Sequence, residues 1–407
     1  MLNGWRPLSG VRVLDLTRNV AGPFATAILA DLGARVIKVE HPDKGDDTRQ
    51  WGPPFVRGEG AMFLQLNRNK QSIMLDLSHP LAPELMADLV RASDVVVDSF
   101  WPGALEKLGY GGEWACGINP RLVYSSITAY GDVGPRKDLP GYDPLMQAYS
   151  GLMSVTGEPG APPVRVGFSV IDMGTGMWCA IGVLAALARA RETGRGERIV
   201  TSLFETSIAW SMMILGTYWA NGEVPGAYGS GTSTIVPYRA YRTRDAYVLI
   251  AAGNDRLFGK LADLLGHPEW TGMAGFATNA ERVENRSAVD TAIGVIVADW
   301  SAAELLAALN RAGIPCSEVR TLDQTASDAQ AAALAMFARA PQGSYADQPV
   351  VAIPVKGGGE RCAIEASAPT LGEHNEGVLR GLGYDEARMR RFLQAMSAAR
   401  APSTGGA

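Results

Sequence analysis

Short apolar runs alternate with amphipathic stretches from the start of this chain to about residue 130, and few folds accept such a rhythm. Val11-Arg-Val-Leu-Asp-Leu16 reads as a buried strand, and residues 22–32 as a helix with Pro23 in its first turn. Arg35-Val-Ile-Lys-Val-Glu40 and Ser72-Ile-Met-Leu-Asp-Leu77 are further strands, followed by a helix over 82–91. Strands at 94–100 and 122–128 continue the series. Strand and helix in strict alternation imply right-handed βαβ units and a mainly parallel sheet, whose ligands gather at the carboxyl ends of the strands.

The loop after the first strand, Arg18-Asn-Val-Ala-Gly-Pro23, carries one glycine and lacks the GxGxxG spacing. A backbone without those glycines does not close on a pyrophosphate in the nicotinamide-binding manner, so NAD is not expected. Glu40, at the end of the second strand, then reads as a solvent-exposed acid.

Further on, Asp172 stands at the threshold of a long apolar helix over 174–191, and no charged residue follows it until Arg189. The helix stops at Glu192-Thr-Gly-Arg-Gly196, whose glycines suit a C-terminal turn. Two readings of Asp172 stay open. It is an N-cap, a position Asp favours, or it is a nucleophilic carboxylate held in a dry cleft.

A strand over 198–203 and a helix over 205–218 come next. Asn221-Gly-Glu-Val-Pro-Gly-Ala-Tyr-Gly-Ser-Gly-Thr-Ser-Thr234 is then rich in glycine and small polar residues, as a linker or binding loop would be. A second α/β unit runs over 236–322, with a strand at 246–252. A Gly357-Gly-Gly359 turn between apolar runs (349–355 and 361–364) suggests a hairpin. A last helix covers 385–396, and residues 397–407 read as a flexible tail.

The totals close off other classes. A net charge of −5 without a polybasic run argues against nucleic acid. Four scattered cysteines and four histidines offer neither a disulfide framework nor a metal site, and point to a reducing cytoplasm. The apolar stretches from Gly174 and from Ile208 fall short of the roughly 18–20 residues of a membrane span, and the start of the chain lacks a signal-peptide pattern.

An ordered set of short motifs carries a resemblance. It comprises Leu8-Ser-Gly-Val-Arg-Val-Leu-Asp-Leu16, Ala21-Gly-Pro23, Leu32-Gly-Ala-Arg-Val-Ile-Lys-Val-Glu40, Asn67-Arg-Asn-Lys-Gln-Ser-Ile73 and Pro102-Gly-Ala-Leu105. Asn119-Pro-Arg121, Gly141-Tyr-Asp143, Ser150-Gly-Leu-Met153, Thr193-Gly-Arg-Gly196 and Ala368-Pro-Thr-Leu-Gly-Glu-His374 follow in order. Together they resemble the class III coenzyme A transferases. Three segments (Trp51-Gly-Pro-Pro-Phe55, Asn67 to Lys70, Ile235-Val-Pro-Tyr238) are closest to the dicarboxylate branch that includes succinyl-CoA:glutarate transferases.

The resemblance implies an α/β fold: a Rossmann-like large domain from both chain ends (1–205 and 323–396), a linker (206–234), a smaller central α/β domain (235–322), and an interlocked homodimer. It implies Asp172 as the nucleophile of an acyl-CoA:carboxylate exchange passing through a mixed anhydride and an aspartyl-CoA thioester. Succinyl-CoA is the expected donor and a small acid such as glutarate the acceptor. Coenzyme A is a substrate, with no permanently bound cofactor and no metal. Its contacts would come from Val20, His41, Leu75, Asp76, Ser99, Phe100, Trp101, Lys107, Pro140 and Tyr142. Gly229 and Gly231 are candidates for an oxyanion loop, and Arg49 and Arg68 for phosphate or a substrate carboxylate. Racemases of the same family pair a histidine with the aspartate. Here Tyr142 occupies that position, a poor base near neutrality, and Asp143 beside it is expected to point elsewhere from an extended segment. A non-catalytic CoA-binding module is the third reading.

Overall fold

The structure is a computed structural model and describes residues 5–398. It divides into two units. The first holds the described residues up to Ser150, Gly167–Met212 and those from Ala329 onward; the second holds Gly151–Val166 and Met213–Asp328.

The first unit is built on six parallel strands: β1 (Arg12–Leu16), β2 (Arg35–Glu40), β3 (Lys70–Met74), β4 (Val95–Asp98), β5 (Val123–Thr128) and β6 (Arg198–Ser202). Their order across the sheet is β3-β2-β1-β4-β5-β6. That is the order of dinucleotide-binding sheets, with the topological switch between β1 and β4. In its register Leu14 of β1 faces Ile37 on one side and Val96 on the other, so the centre of the sheet is built of branched apolar side chains.

Helices α1 (Ala21–Asp31), α2 (Ala82–Arg91), α3 (Asp143–Tyr149) and α4 (Val170–Thr193) cover the sheet or its carboxyl ends. Helix α4 packs on α1 through small residues. A methyl group on Gly176 would lie 2.6 Å from the Ala21 carbonyl, so only glycine permits this approach. The helix starts a turn earlier than its apolar run suggests, and it ends at Gly194 with φ +72°, a left-handed cap. At 24 residues it is long and apolar enough to cross a bilayer by length and composition. Half of its most apolar 18-residue stretch is buried inside the protein, as in a core helix. The second apolar stretch is broken at Ser211, between α5 (Leu203–Trp210) and α6 (Met212–Asn221). The helix expected over 205–218 is therefore two helices, which occupy the first part of the 206–234 segment set aside as a linker and stop where the glycine-rich composition begins.

The second unit carries an antiparallel sheet of β7 (Tyr238–Arg242), β8 (Tyr247–Ala251) and β9 (Cys316–Glu318), in the order β9-β8-β7. Helices α7 (Asp255–Leu264), α8 (Arg286–Val297) and α9 (Ala302–Ala312) close its core, which centres on Val248, Ile250, Phe258, Leu261, Ile293 and Leu309. Ser301 and Glu304 form a capping box at the start of α9.

The chain then returns to the first unit. Val378 and Leu379 of α10 (Asn375–Gly381) and Phe392 of α11 (Glu386–Ala398) enter the same core as Leu14, Ile73 and Leu85. The motif ending in His374 closes the exposed edge of the sheet. The Ser72 N–H donates to His374 Nδ1 (3.2 Å), the His374 N–H to the Ser72 carbonyl (2.9 Å), and the Met74 N–H to Asn375 Oδ1 (2.9 Å). Edge strands need such covering because their unpaired backbone groups otherwise recruit other chains. The glycine hairpin is shorter than expected, pairing Lys356–Gly357 with Glu360–Arg361. Gly358 and Gly359 both take positive φ and form the turn at once, while Val350–Val351 pairs with Phe337–Ala338 instead. The expected tail from 397 begins within α11, and residues 399–407 lie outside the described residues. All four cysteines are free thiols.

Candidate active site at the carboxyl ends of the sheet

The start of α4 overturns one expectation. Asp172 is not the N-cap: Ser169 holds that position, and Asp172 lies in the first turn. The cap comes from another element. Asp143 is the first residue of α3, with Pro144 behind it, and it is buried. Its Oδ2 accepts the N–H groups of Ile171 (2.7 Å) and Asp172 (3.2 Å), and its Oδ1 accepts from Gln147 Nε2 at 2.5 Å. Asp143 therefore points into α4, contrary to the sequence expectation, because helix α3 begins at it and turns its side chain inward. The Asp-Pro pair at 143–144 is a helix-start signal that could have revealed this.

The electrostatic consequence falls on Asp172. A helix N-terminus was expected to keep its carboxylate ionised, but the nearest helical donors are already bound to Asp143. Among the described residues none donates a hydrogen bond to the Asp172 carboxyl. Burial and then the charge of Asp143 raise its pKa from 3.8 to about 7. A carboxylate held without donors or a cation is a poorly stabilised anion, hence a better nucleophile than a solvated one.

The switch point brings several expected coenzyme contacts together. A cavity of about 200 Å³ is lined by His41, Leu75, Asp76, Leu77, Ser78 and Phe100, among others. Its walls come from the carboxyl ends of β2, β3 and β4. Asp76 is committed to its own turn, accepting from Ser78 N–H (2.9 Å) and Oγ (2.7 Å), which lowers its pKa. Ser99 Oγ accepts the Arg18 N–H at 3.0 Å, and the Arg18 guanidinium lies 5.1 Å from the centre of the Phe100 ring. Phe100 also borders a second cavity of about 200 Å³, shared with Trp101, Asp98, Tyr124, Lys137 and Arg198. Asp98 is a group that sequence reading missed. Burial holds it at about 6 despite hydrogen bonds from Ser126 and the Phe100 N–H.

Other expected contacts stand apart from these cavities. Lys107, Pro140 and Tyr142 are exposed, and Val20 is buried in the loop before α1. Gly229 and Gly231 belong to the second unit. There the Gly229 N–H donates to the Gly157 carbonyl and the Gly231 N–H to that of Tyr228, so both candidate oxyanion donors are engaged in this conformation. Arg49, Arg68 and Glu40 correct the sequence reading outright. Arg49 is buried between Glu40 and Glu59, and Arg68 is buried against Asp31. Neither guanidinium is available to a ligand, and Glu40 is no surface acid.

The first unit is thus a doubly wound α/β sheet with a cavity at its switch point, no GxGxxG loop after β1, and a partly buried aspartate in the first turn of α4. The model of CoA-transferase family III matches residues 8–375, and the chain belongs to that family. It is 36% identical to a mouse succinyl-CoA:glutarate CoA-transferase, over 95% of this chain and 89% of that protein. It is 37% identical to the succinate–glutarate CoA-transferase of Agrobacterium fabrum, over 93% and 96%. The crystal structure of a CAIB/BAIF family protein from Brucella suis superposes with a TM-score of 0.83 at 36% identity, covering 92% of this chain and 99% of that one. The chain is thus a CoA-transferase, acting on acyl-CoA thioesters and carboxylates.

Proposed function

We propose that this enzyme moves coenzyme A between dicarboxylates, with succinyl-CoA as donor and glutarate or a hydroxy-dicarboxylate as acceptor, and that Asp172 carries the acyl chemistry. One observation supports the mechanism above others: the Asp172 carboxyl is partly buried, short of donors, and raised to about 7 beside a second acid that has taken the helix N–H groups. The names of the similar proteins support the choice of donor.

In this reading ionised Asp172 attacks the thioester carbonyl. The carbon–sulfur bond breaks, CoA leaves as thiolate, and a mixed anhydride forms. The thiolate then attacks the aspartyl carbonyl, releasing the donor acid as its carboxylate and leaving an enzyme thioester. The acceptor carboxylate repeats the sequence in reverse and departs as the new acyl-CoA. Both intermediates hydrolyse in water, so the reaction needs a dry wall. The apolar side chains of α4 next to Asp172 supply one. The cavity bounded by His41, Leu75 and Phe100 is proposed for part of the coenzyme, and Lys107 for its phosphate. The outward Met177, Trp178 and Ile181 of α4 are large apolar groups left exposed in the single chain, which favours a homodimer.

The test is incubation with succinyl-CoA and a panel of acids, followed by detection of new thioesters. Exchange that disappears in Asp172→Ala, together with hydroxylamine modification of Asp172 in the wild type, is the expected result. Exchange that survives the substitution sinks the mechanism. Exclusive use of monocarboxylyl donors sinks the substrate assignment.

A further inference from the structure

Beneath the switch point lies a buried ionic network for which the reaction so far has no use. Lys38 and Lys70 have fully buried side chains. Lys38 Nζ lies 2.8 Å from Asp46 Oδ2, and Lys70 Nζ lies 3.0 Å from Asp15 Oδ2. What sets the network apart is its target. Lys38 Nζ donates to the Thr17 carbonyl (2.7 Å) and Lys70 Nζ to the Pro23 carbonyl (2.9 Å). Asp15 Oδ1 accepts the Thr17 N–H (2.9 Å), and Asp46 Oδ1 accepts the Asn19 N–H (3.2 Å). Two cations and two anions thus grip one segment, residues 17–23 (the loop before α1 and the helix's first turn), at four backbone groups. Asn19 within it takes φ +69°, a conformation that needs holding.

The same segment touches both halves of the site. At one end Arg18 meets Ser99 and Phe100. At the other, the Ala21 carbonyl rests on Gly176, one turn beyond Asp172. Buried ion pairs are a poor way to gain stability, since apolar replacements of similar volume often serve as well or better. They are a good way to hold backbone in one place, because each charged group demands its partners at fixed distance and angle.

We propose that Lys38, Lys70, Asp15 and Asp46 are positioning residues of the transferase: they set the segment 17–23 against the start of α4, beside Asp172 and the substrate it would carry. Lys70 is the last residue of the Asn67-Arg-Asn-Lys70 motif, and Asn67 Oδ1 accepts from its amine at 2.9 Å. The motif's basic residues therefore act inside the protein and not on the ligand. The proposal rests on the transferase reading of Asp172, and it makes donor selection depend on residues that never touch the donor.

The experiment compares the full-length wild type with Lys70→Met, Lys38→Met and the double variant Asp15→Asn/Lys70→Met, in which both charges of one pair are removed. Three readouts are taken: thermal midpoint, kcat/KM for succinyl-CoA against acetyl-CoA, and amide exchange of residues 17–23 by mass spectrometry. The double variant is expected to melt near the wild-type midpoint, to lose at least about thirtyfold in kcat, to change the donor ratio at least fivefold, and to exchange the loop amides at least tenfold faster. A purely structural network predicts the opposite: activity restored along with the midpoint, an unchanged donor ratio and native loop protection. That outcome overturns the proposal, and so does native loop protection in Lys38→Met if the double variant does not fold. A wild type that transfers no CoA would instead overturn the transferase reading, while the amide exchange still reports whether the network holds the loop.

Discussion

Two aspartates of the first unit meet burial in opposite ways. Asp15, one residue from the carboxyl end of β1, is fully enclosed, and burial alone would push its pKa up. Lys38 and Lys70, with hydroxyl donors from Thr17 and Thr26, outweigh that and bring it down to about 2. Asp172, at the start of α4, is less enclosed yet rises to about 7, because burial raises it unopposed: its charged neighbour is another acid, and among the described residues no donor faces it. Depth does not separate them; the company each keeps does. One carboxylate is neutralised by its cations, and the other is left with neither a cation nor a donor among the described residues.

The largest expected break in this contrast is Asp172→Ala. It should cost at least about a thousandfold in CoA exchange, as loss of a covalent nucleophile does, with little change in fold by circular dichroism. Asp15→Ala should act on stability instead. Removing the anion leaves Lys38 and Lys70 buried and underpaired, a change that costs about 3–5 kcal/mol, read as a lowered midpoint in urea.

A third substitution turns the contrast around. The raised pKa means that folded Asp172 keeps its proton up to about pH 7, whereas the unfolded chain releases it near 3.8. The folded state thus binds more protons in that window, so this group lowers stability progressively as pH rises from about 4 to 7. Asp172→Asn should therefore stabilise the inactive protein by about 2–4 kcal/mol at pH 8 and hardly at all at pH 4. An equal gain at both pH values would show that the acid carries no such strain. The smallest effect belongs to Asp143→Asn. The rate should rise with pH through an acid limb near 7, as Asp172 ionises. Asn keeps a carbonyl oxygen for the helix N–H groups but removes the charge, so the limb should move to lower pH. The move stays smaller than the whole gap to 3.8, because burial, the larger cause, remains.

Much of this architecture is legible in the chain itself. The strands at 12–16 and 35–40 and the helix at 82–91 follow from apolar periodicity. Arg49, Arg68 and Glu40 were misread because a charge in a polar stretch looks solvated until its partners are known. Those partners are Glu59, Asp31 and Arg49 itself, and only the first and last are near in sequence. Asp143 lies 29 residues from the N–H of Asp172 that it accepts, beyond any local pattern.

By itself the sequence determined the periodicity of strand and helix, the absence of a dinucleotide fingerprint, and the placing of a lone acid before a long apolar helix. These are local properties, set by neighbours within a turn or a pleat. Tertiary structure alone decided which acid caps α4, which carboxylate is left short of donors, and which lysines point inward at the loop beside it. Hydrogen bonds and charges act across space, and a helix terminus has only a few free N–H groups to give. Burial, and the engagement of the Ile171 and Asp172 N–H groups by Asp143, together set the character of Asp172.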